Sequence, residues 1–484
     1  MDNKSVTTTD TKKISWYMLA FMAFSTVWGF GNVVNGFGYF DGLTVIFSWI
    51  LMFALYFVPY ALMVGELGSA FKNAGGGVTS WVLETTNPKL AYYAGYTYWV
   101  VHIPYIASKG SGGLKALAWM CLKNDWYDAL PTWQVQLATG IVFVIFLFVA
   151  ARGLSVLKVL TTAAGSSMFV MSILFIIMMF AAPIINPNAT YVPLDWSWDN
   201  LIPQFNVQYF TSLSILVFAV GGCEKISPYV NKVKDPGKDF PKGMIALAVM
   251  VMICAILGTV ALGMMFTGAE YEGAAQTSFI ANGAYEAFQR LGEYYHCGNL
   301  FVILYGACNA IGQFSTLTLS IDAPLRMLLD DKSARQFVPS GLLVQNQYGA
   351  YTNGIKLVGV LSGAIIAIQL LGTGASDVIA WLTRLNSVCM PLRYLWVFFA
   401  YIMLRKESKR FPREYEFVKN NGLALAFGIW CFVVTAACCL LGMYAEGDML
   451  RTALNFLTPF VLLSLGLIMP KLREREEAKA KSVH

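Results

Sequence analysis

Twelve long apolar stretches run through this chain, and paired glycines interrupt two of them near their middles. The stretches fall at residues 15–37, 43–68, 90–120, 132–151, 156–182, 209–229, 242–266, 298–322, 353–372, 378–403, 422–443 and 450–469. A helix needs about 20 mostly apolar residues to cross a bilayer, so each stretch reads as a membrane span. The first break is Thr26-Val27-Trp28-Gly29-Phe30-Gly31-Asn32, and the second is Phe218-Ala219-Val220-Gly221-Gly222-Cys223-Glu224. Breaking a helix inside a membrane frees backbone N–H and C=O groups that lipid cannot satisfy, so they must face protein, a cavity or a ligand. One glycine pair would mark only close helix packing. Two pairs at corresponding positions of two halves predict a binding site built from half-helices.

Composition supports the span count. Hydrophobic residues make up 57% of the chain and charged residues 13%, against about 45–50% and 25% in soluble domains. With the N-terminus inside, only Lys123, Arg290 and Arg451 of the basic residues fall outside. Lys109, Lys115, Lys225, Arg384 and Arg393 lie in or near spans, and the remainder is cytoplasmic. That asymmetry predicts a multi-pass protein of the cell membrane with both termini in the cytoplasm. The net charge of +6 then reflects topology and anionic lipid rather than a nucleic-acid partner. The first stretch lacks a cleavage pattern and reads as a retained span. The nine cysteines show no metal-like pairing, and no metal or cofactor is expected. Cys121 and Cys297 both lie near the outer face, where a disulfide between them stays open. Two outer segments stand out: 270–296, with an amphipathic run from Ile280 to Phe288 that reads equally as a short helix over the outer vestibule or as a surface loop, and 186–206, with Trp196 and Trp198.

Three ordered motifs carry a family resemblance. Gly65-Glu66-Leu67-Gly68-Ser69-Ala70-Phe71 is followed by Ala74-Gly75-Gly76-Gly77-Val78-Thr79-Ser80-Trp81; Asn231 to Pro241 reads NKVKDPGKDFP; and Ala323-Pro324-Leu325-Arg326 runs on to Pro339. Together they resemble the amino acid–polyamine–organocation superfamily, in detail the glutamate:GABA antiporter family. The resemblance implies an all-α membrane protein of 12 transmembrane helices with a LeuT-like 5+5 inverted repeat and two peripheral helices. The chain then divides into a cytoplasmic tail (1–14), first repeat (15–182), extracellular loop (183–208), second repeat (209–403), basic cytoplasmic loop (404–421), two last spans (422–469) and a cytoplasmic tail (470–484).

A zwitterion entering a dry pocket needs a partner for each charge, because an unpaired buried charge is costly. A half-helix N-terminus offers N–H groups and a positive dipole end to a carboxylate. A half-helix C-terminus offers carbonyl oxygens to an ammonium. The expected substrate contacts are therefore Val27, Gly29, Phe30 and Gly31 at the first break, with Phe218, Ala219, Gly221 and Gly222 at the second. Phe30 stands where the superfamily commonly has a small hydroxyl residue, which puts a hydroxyl contact in question but not the backbone ones. By family pattern Phe218 is the aromatic lid, and His102, Ile106 and Lys109 of the third span line the side-chain end. Ionisable groups inside a span are functional candidates because they are costly there. Lys109 has several readings: attracting an acidic side chain, coupling to a proton, pairing with Glu224, or snorkelling outward. His102 reads as a structural histidine or a pH-sensing ligand. Glu224, Gln313, Phe314, Arg384 and Asn386 are the gating or coupling candidates, whereas Arg393 reads as structural.

The family's proton-coupled importers often carry a lysine midway along the fifth span, where this chain has Ser167 or Met168. That favours obligatory exchange by alternating access, and the resemblance to the glutamate:GABA antiporter family implies an amino acid exchanged against its decarboxylated amine. A proton- or sodium-coupled symporter is the alternative. A sensor that binds without transport, or a membrane enzyme, is disfavoured, since no nucleophile–base pair or signalling domain is evident.

Overall fold

The computed structural model describes residues 13–331, 334–371, 389–445 and 447–482. Its regular structure there is helical, apart from two isolated bridges. The first apolar stretch divides into α1 (Trp16–Val27) and α2 (Gly31–Tyr39), bent by 40° at the break. Next come α3 (Gly42–Ala70), α4 (Val78–Thr85), α5 (Pro88–Leu122), α6 (Thr132–Ala150) and α7 (Leu154–Ile185). The stretch with the second break divides likewise. Helix α8 (Val207–Val220) stops at Gly221, and the chain resumes as the 3-10 segment Cys223–Lys232. Helices α9 (Pro236–Gly263), α10 (Gln276–Tyr294), α11 (Leu300–Leu329), α12 (Thr352–Leu371), α13 (Tyr394–Lys406), α14 (Asn421–Met443) and α15 (Met449–Ser482) follow, with short helical turns in the connections.

Among the described residues eight helices are long and apolar enough to cross a membrane, or nine if the bent pair α1–α2 is one span. The shortfall against twelve has physical causes. Helix α5 is 35 residues long but carries His102, Lys109 and Lys115; α8 ends after 14 residues at its glycines; and part of the 378–403 stretch lies outside the described residues. The distribution of side chains is that of a membrane protein. Phe148, Val159, Ile184 and Phe460 stand exposed on the outside of the helices, whereas Glu66, His102, Glu224, Lys225, Arg393 and Arg405 are buried inside. Buried charge of this kind survives only when paired or bound.

The three resemblance motifs meet at one end of the bundle. A Cβ on Gly68 would overlap the Phe240 ring, and one on Gly65 would stand 3.2 Å from Pro241 Cα, so α3 and α9 touch backbone to backbone. Glu66 is fully buried there and is shared by Arg405 and Arg413, each 2.6 Å away. Part of the basic tract after the tenth apolar stretch is thus drawn in as counter-charge. Ser80 donates to Asp331 (2.6 Å) and Tyr229 to Asp322 (2.7 Å). Ile14 pairs with the chain at 232–234 through backbone bonds of 2.9 and 3.0 Å, which fixes the start of α1 beside the end of the 3-10 segment.

Candidate functional site

The two breaks lie side by side. The Asn32 amide donates to the carbonyls of both Val27 and Ala219, at 3.2 Å each, and so ties one break to the other. Thr26 Oγ donates to the Gly222 carbonyl at 3.2 Å. Gly222 has φ +115°, a left-handed value that L side chains rarely adopt. Among the described residues the N–H groups of Gly29, Phe30 and Gly31 have no carbonyl or side-chain partner, so the start of α2 presents three free donors. Such a terminus favours an anion.

A cavity of about 380 Å³ opens against both breaks, within the range of small-molecule sites. Val27, Gly29 and Gly31 line it from the first break, and Phe218, Ala219 and Gly221 from the second. Lys109 and Gln313 also reach it. Ile280, Ala281, Ala284 and Tyr285 of α10 form part of its wall, so the amphipathic run from Ile280 to Phe288 is a helix against the cavity.

Several expected contacts lie elsewhere, and each displacement has a cause. Phe30 is buried among Phe175, Phe288 and Tyr305, with ring centroids 4.7 to 6.0 Å away, so the side chain packs into the bundle while its glycine neighbours face the hollow. Ile106 belongs to an apolar cluster. Phe314 stacks on Phe146 at 4.7 Å. His102 donates from Nδ1 to the Tyr98 carbonyl (2.6 Å) and accepts at Nε2 from Arg393 (2.8 Å). Arginine offers donors only, so this pattern holds a neutral imidazole in a structural position. Glu224 sits behind the cavity wall, bonded by Tyr60 and, at 3.1 Å, by Arg393. Lys109 is therefore not its partner. Arg393, read from sequence as structural, lines the cavity as well as pairing with Glu224. Of the carbonyls expected for an ammonium, Ala219 already accepts from Asn32 and Phe218 accepts from the Gly221 N–H at 3.3 Å, which leaves each a second lone pair. Arg384 and Asn386 lie outside the described residues. The thiols of Cys121 and Cys297 are both free.

The electrostatics of the cavity are lopsided. Lys115 pairs with Asp128 at 2.8 Å and Arg393 with Glu224. Lys109 and Lys225 have no carboxylate in ion-pair range among the described residues. Both ammonium groups stand over the Tyr105 ring, 4.7 and 5.3 Å from its centroid, and Lys225 also donates to Ser320 at 2.7 Å. Sequence reasoning passed over Lys225 and Asn32. The cost of an intramembrane cation marks the first; nothing in the sequence marks the second as a bridge. Another hollow of about 410 Å³ lies among α5, α13, α14 and α15, but its lining is almost wholly apolar and offers a zwitterion nothing.

This arrangement defines a class: a helical membrane protein with a small polar chamber between two broken helices. The chain belongs to the amino acid permease family, whose model matches residues 14–465, within the amino acid–polyamine–organocation superfamily. It is a transporter family, not an enzyme family. The chain is 47% identical to the aspartate/glutamate permease AcaP of Lactococcus lactis subsp. cremoris over 98% of each chain. It is 24% identical to the inner membrane transporter YjeM of Salmonella typhimurium, over 88% of this chain and 89% of that one. Its fold matches that of a manganese transporter from Eremococcus coleocola with a TM-score of 0.57 at 12% identity, over 98% and 97% of the two chains.

Proposed function

We propose that this amino acid transporter carries acidic amino acids across the cell membrane by alternating access. Its twelve spans would form two inverted five-span repeats and a peripheral pair, with both termini in the cytoplasm. One observation carries the substrate class: the chamber that touches both helix breaks holds two lysines without a carboxylate partner among the described residues. An aspartate or glutamate brings one more negative than positive charge, which offsets part of the cost of burying those cations. The name of the relative at 47% identity agrees.

The substrate's α-carboxylate meets the free N–H groups of Gly29 to Gly31. Its ammonium meets the carbonyls at the end of α8. Phe218 is the aromatic cover, and Glu224 organises the segment after the second break by holding Arg393. Met168, whose end lies 3.8 Å from where a Cβ on Gly29 would stand, is apolar. Without a fixed cation there, exchange of the acidic amino acid for an amino acid or its decarboxylated amine is favoured over proton or sodium symport. Proteoliposomes test both parts. Counterflow of labelled L-aspartate should require unlabelled substrate inside and no ion gradient, and L-glutamate should compete where L-leucine and L-arginine do not. Accumulation driven by a proton or sodium gradient with nothing inside would replace exchange by symport, and equal competition by L-leucine would remove the acidic class.

A further inference from the structure

We infer that Lys225, assisted by Lys109, selects the substrate by binding its side-chain carboxylate. The inference rests on the acidic-substrate reading and assigns the residue that makes it specific. Among the described residues four cations reach the chamber, and two are already neutralised, Lys115 by Asp128 and Arg393 by Glu224. Lys225 is 2% exposed, and among the described residues its ammonium, which has three protons to donate, has one hydroxyl partner, Ser320, and the face of Tyr105. A buried ammonium with donors to spare is a site that lacks its anion. Lys109 stands over the same ring, so two cations without a carboxylate partner among the described residues lie close to Tyr105. Two like charges held near one another are unfavourable, and a shared anion removes that repulsion.

Position adds a consequence. Lys225 lies in the first turn of the 3-10 segment that follows Gly221 and Gly222, Lys109 belongs to α5 and Ser320 to α11. A side-chain carboxylate held here joins the segment after the second break to two long helices that pack along one another. A neutral side chain of the same shape makes no such joint. L-Asparagine is that neutral isostere, which makes the contrast measurable.

The test is calorimetric titration of the purified full-length protein with L-aspartate and with L-asparagine. Wild type should prefer L-aspartate. Lys225→Met should weaken L-aspartate roughly 10- to 100-fold, the loss expected for a charge-assisted hydrogen bond, and leave L-asparagine unchanged, so that the preference collapses. Lys225→Arg should keep the preference. Ser320→Ala, which deletes only the hydroxyl that orients the ammonium, should reduce it a few-fold and covers the case in which Lys225→Met does not fold. A wild type that prefers L-asparagine would overturn the acidic-substrate reading and this inference with it. A wild type that prefers L-aspartate, with that preference intact in Lys225→Met or, if that variant does not fold, in Ser320→Ala, would overturn this inference alone.

Discussion

The two helix breaks use glycine for opposite purposes. At the first, a methyl group added to Gly31 would meet nothing within 4 Å, and one on Gly29 would meet only the end of Met168 at 3.8 Å. At the second, a methyl on Gly221 would collide with the Tyr394 ring, and Gly222 holds a backbone angle that disfavours a side chain. The first break is thus open on its glycine side, where backbone donors must be reached by a ligand. The second is filled by protein, with Tyr394, Arg393 and Glu224 packed around it. One break is shaped for access and the other for a fixed bend.

Substitutions sharpen or break that contrast. The largest loss of stability should come from the closed flank of the first break. Phe30→Ala empties the centre of an aromatic cluster and should cost about 3–5 kcal/mol, read as a fall in the detergent unfolding midpoint; an unchanged midpoint would remove Phe30 from that packing. Gly221→Ala should follow, with overpacking of about 1–3 kcal/mol and loss of transport. Adding Tyr394→Leu should recover part of the stability, and no recovery would mean that Tyr394 is not the obstacle. Asn32→Ala unties the breaks by deleting two hydrogen bonds, about 1–2 kcal/mol in total, and should slow exchange even where binding persists. Gly31→Ala should change stability by less than about 1 kcal/mol, yet weaken L-aspartate binding because the methyl enters the chamber. If Gly31→Ala instead destabilises as strongly as Gly221→Ala, the two breaks are alike and the contrast fails.

The smallest effect concerns the contact between Glu270 and α10. Burial acts to raise the Glu270 carboxyl, but hydrogen bonds from Arg290 and Thr267 outweigh it and hold the group below its ordinary 4.5. A depressed carboxyl contributes stability above its unfolded value and loses it as pH falls through the lower folded value. Hydrogen exchange in α10 should therefore quicken below about pH 4.5 relative to neutral pH, after correction for the intrinsic rate. Glu270→Gln should flatten that dependence, and an unchanged profile would exclude the contact as the cause.

Much of this architecture was legible because membranes punish ambiguity. Apolar runs of span length and the confinement of helix-breaking glycines to Gly29–Gly31 and Gly221–Gly222 both follow from the cost of polar groups in lipid. The cavity does touch both breaks, and Lys109 does face it. What sequence could not place was side-chain direction. Phe30 lies between two cavity-facing glycines yet points into the bundle, and His102 lies on the same helix as Lys109 yet serves Arg393. Arg393 was read as structural from its depth alone, and depth does not say which way a long side chain turns. The resemblance motifs speak of family and not of substrate. Glu66, Gly68 and Phe240 build the joint at one end of the bundle, not the chamber, so they identify the family without touching what it carries.

The most direct measurement is a high-resolution cryo-EM map of the protein with L-aspartate. The account predicts ligand density between the two breaks, with the α-carboxylate on the N–H groups of Gly29 to Gly31 and the second carboxylate beside Lys225. Density for the amino acid elsewhere, or unbroken helices running through Gly29 and Gly221 with no chamber between them, would contradict it.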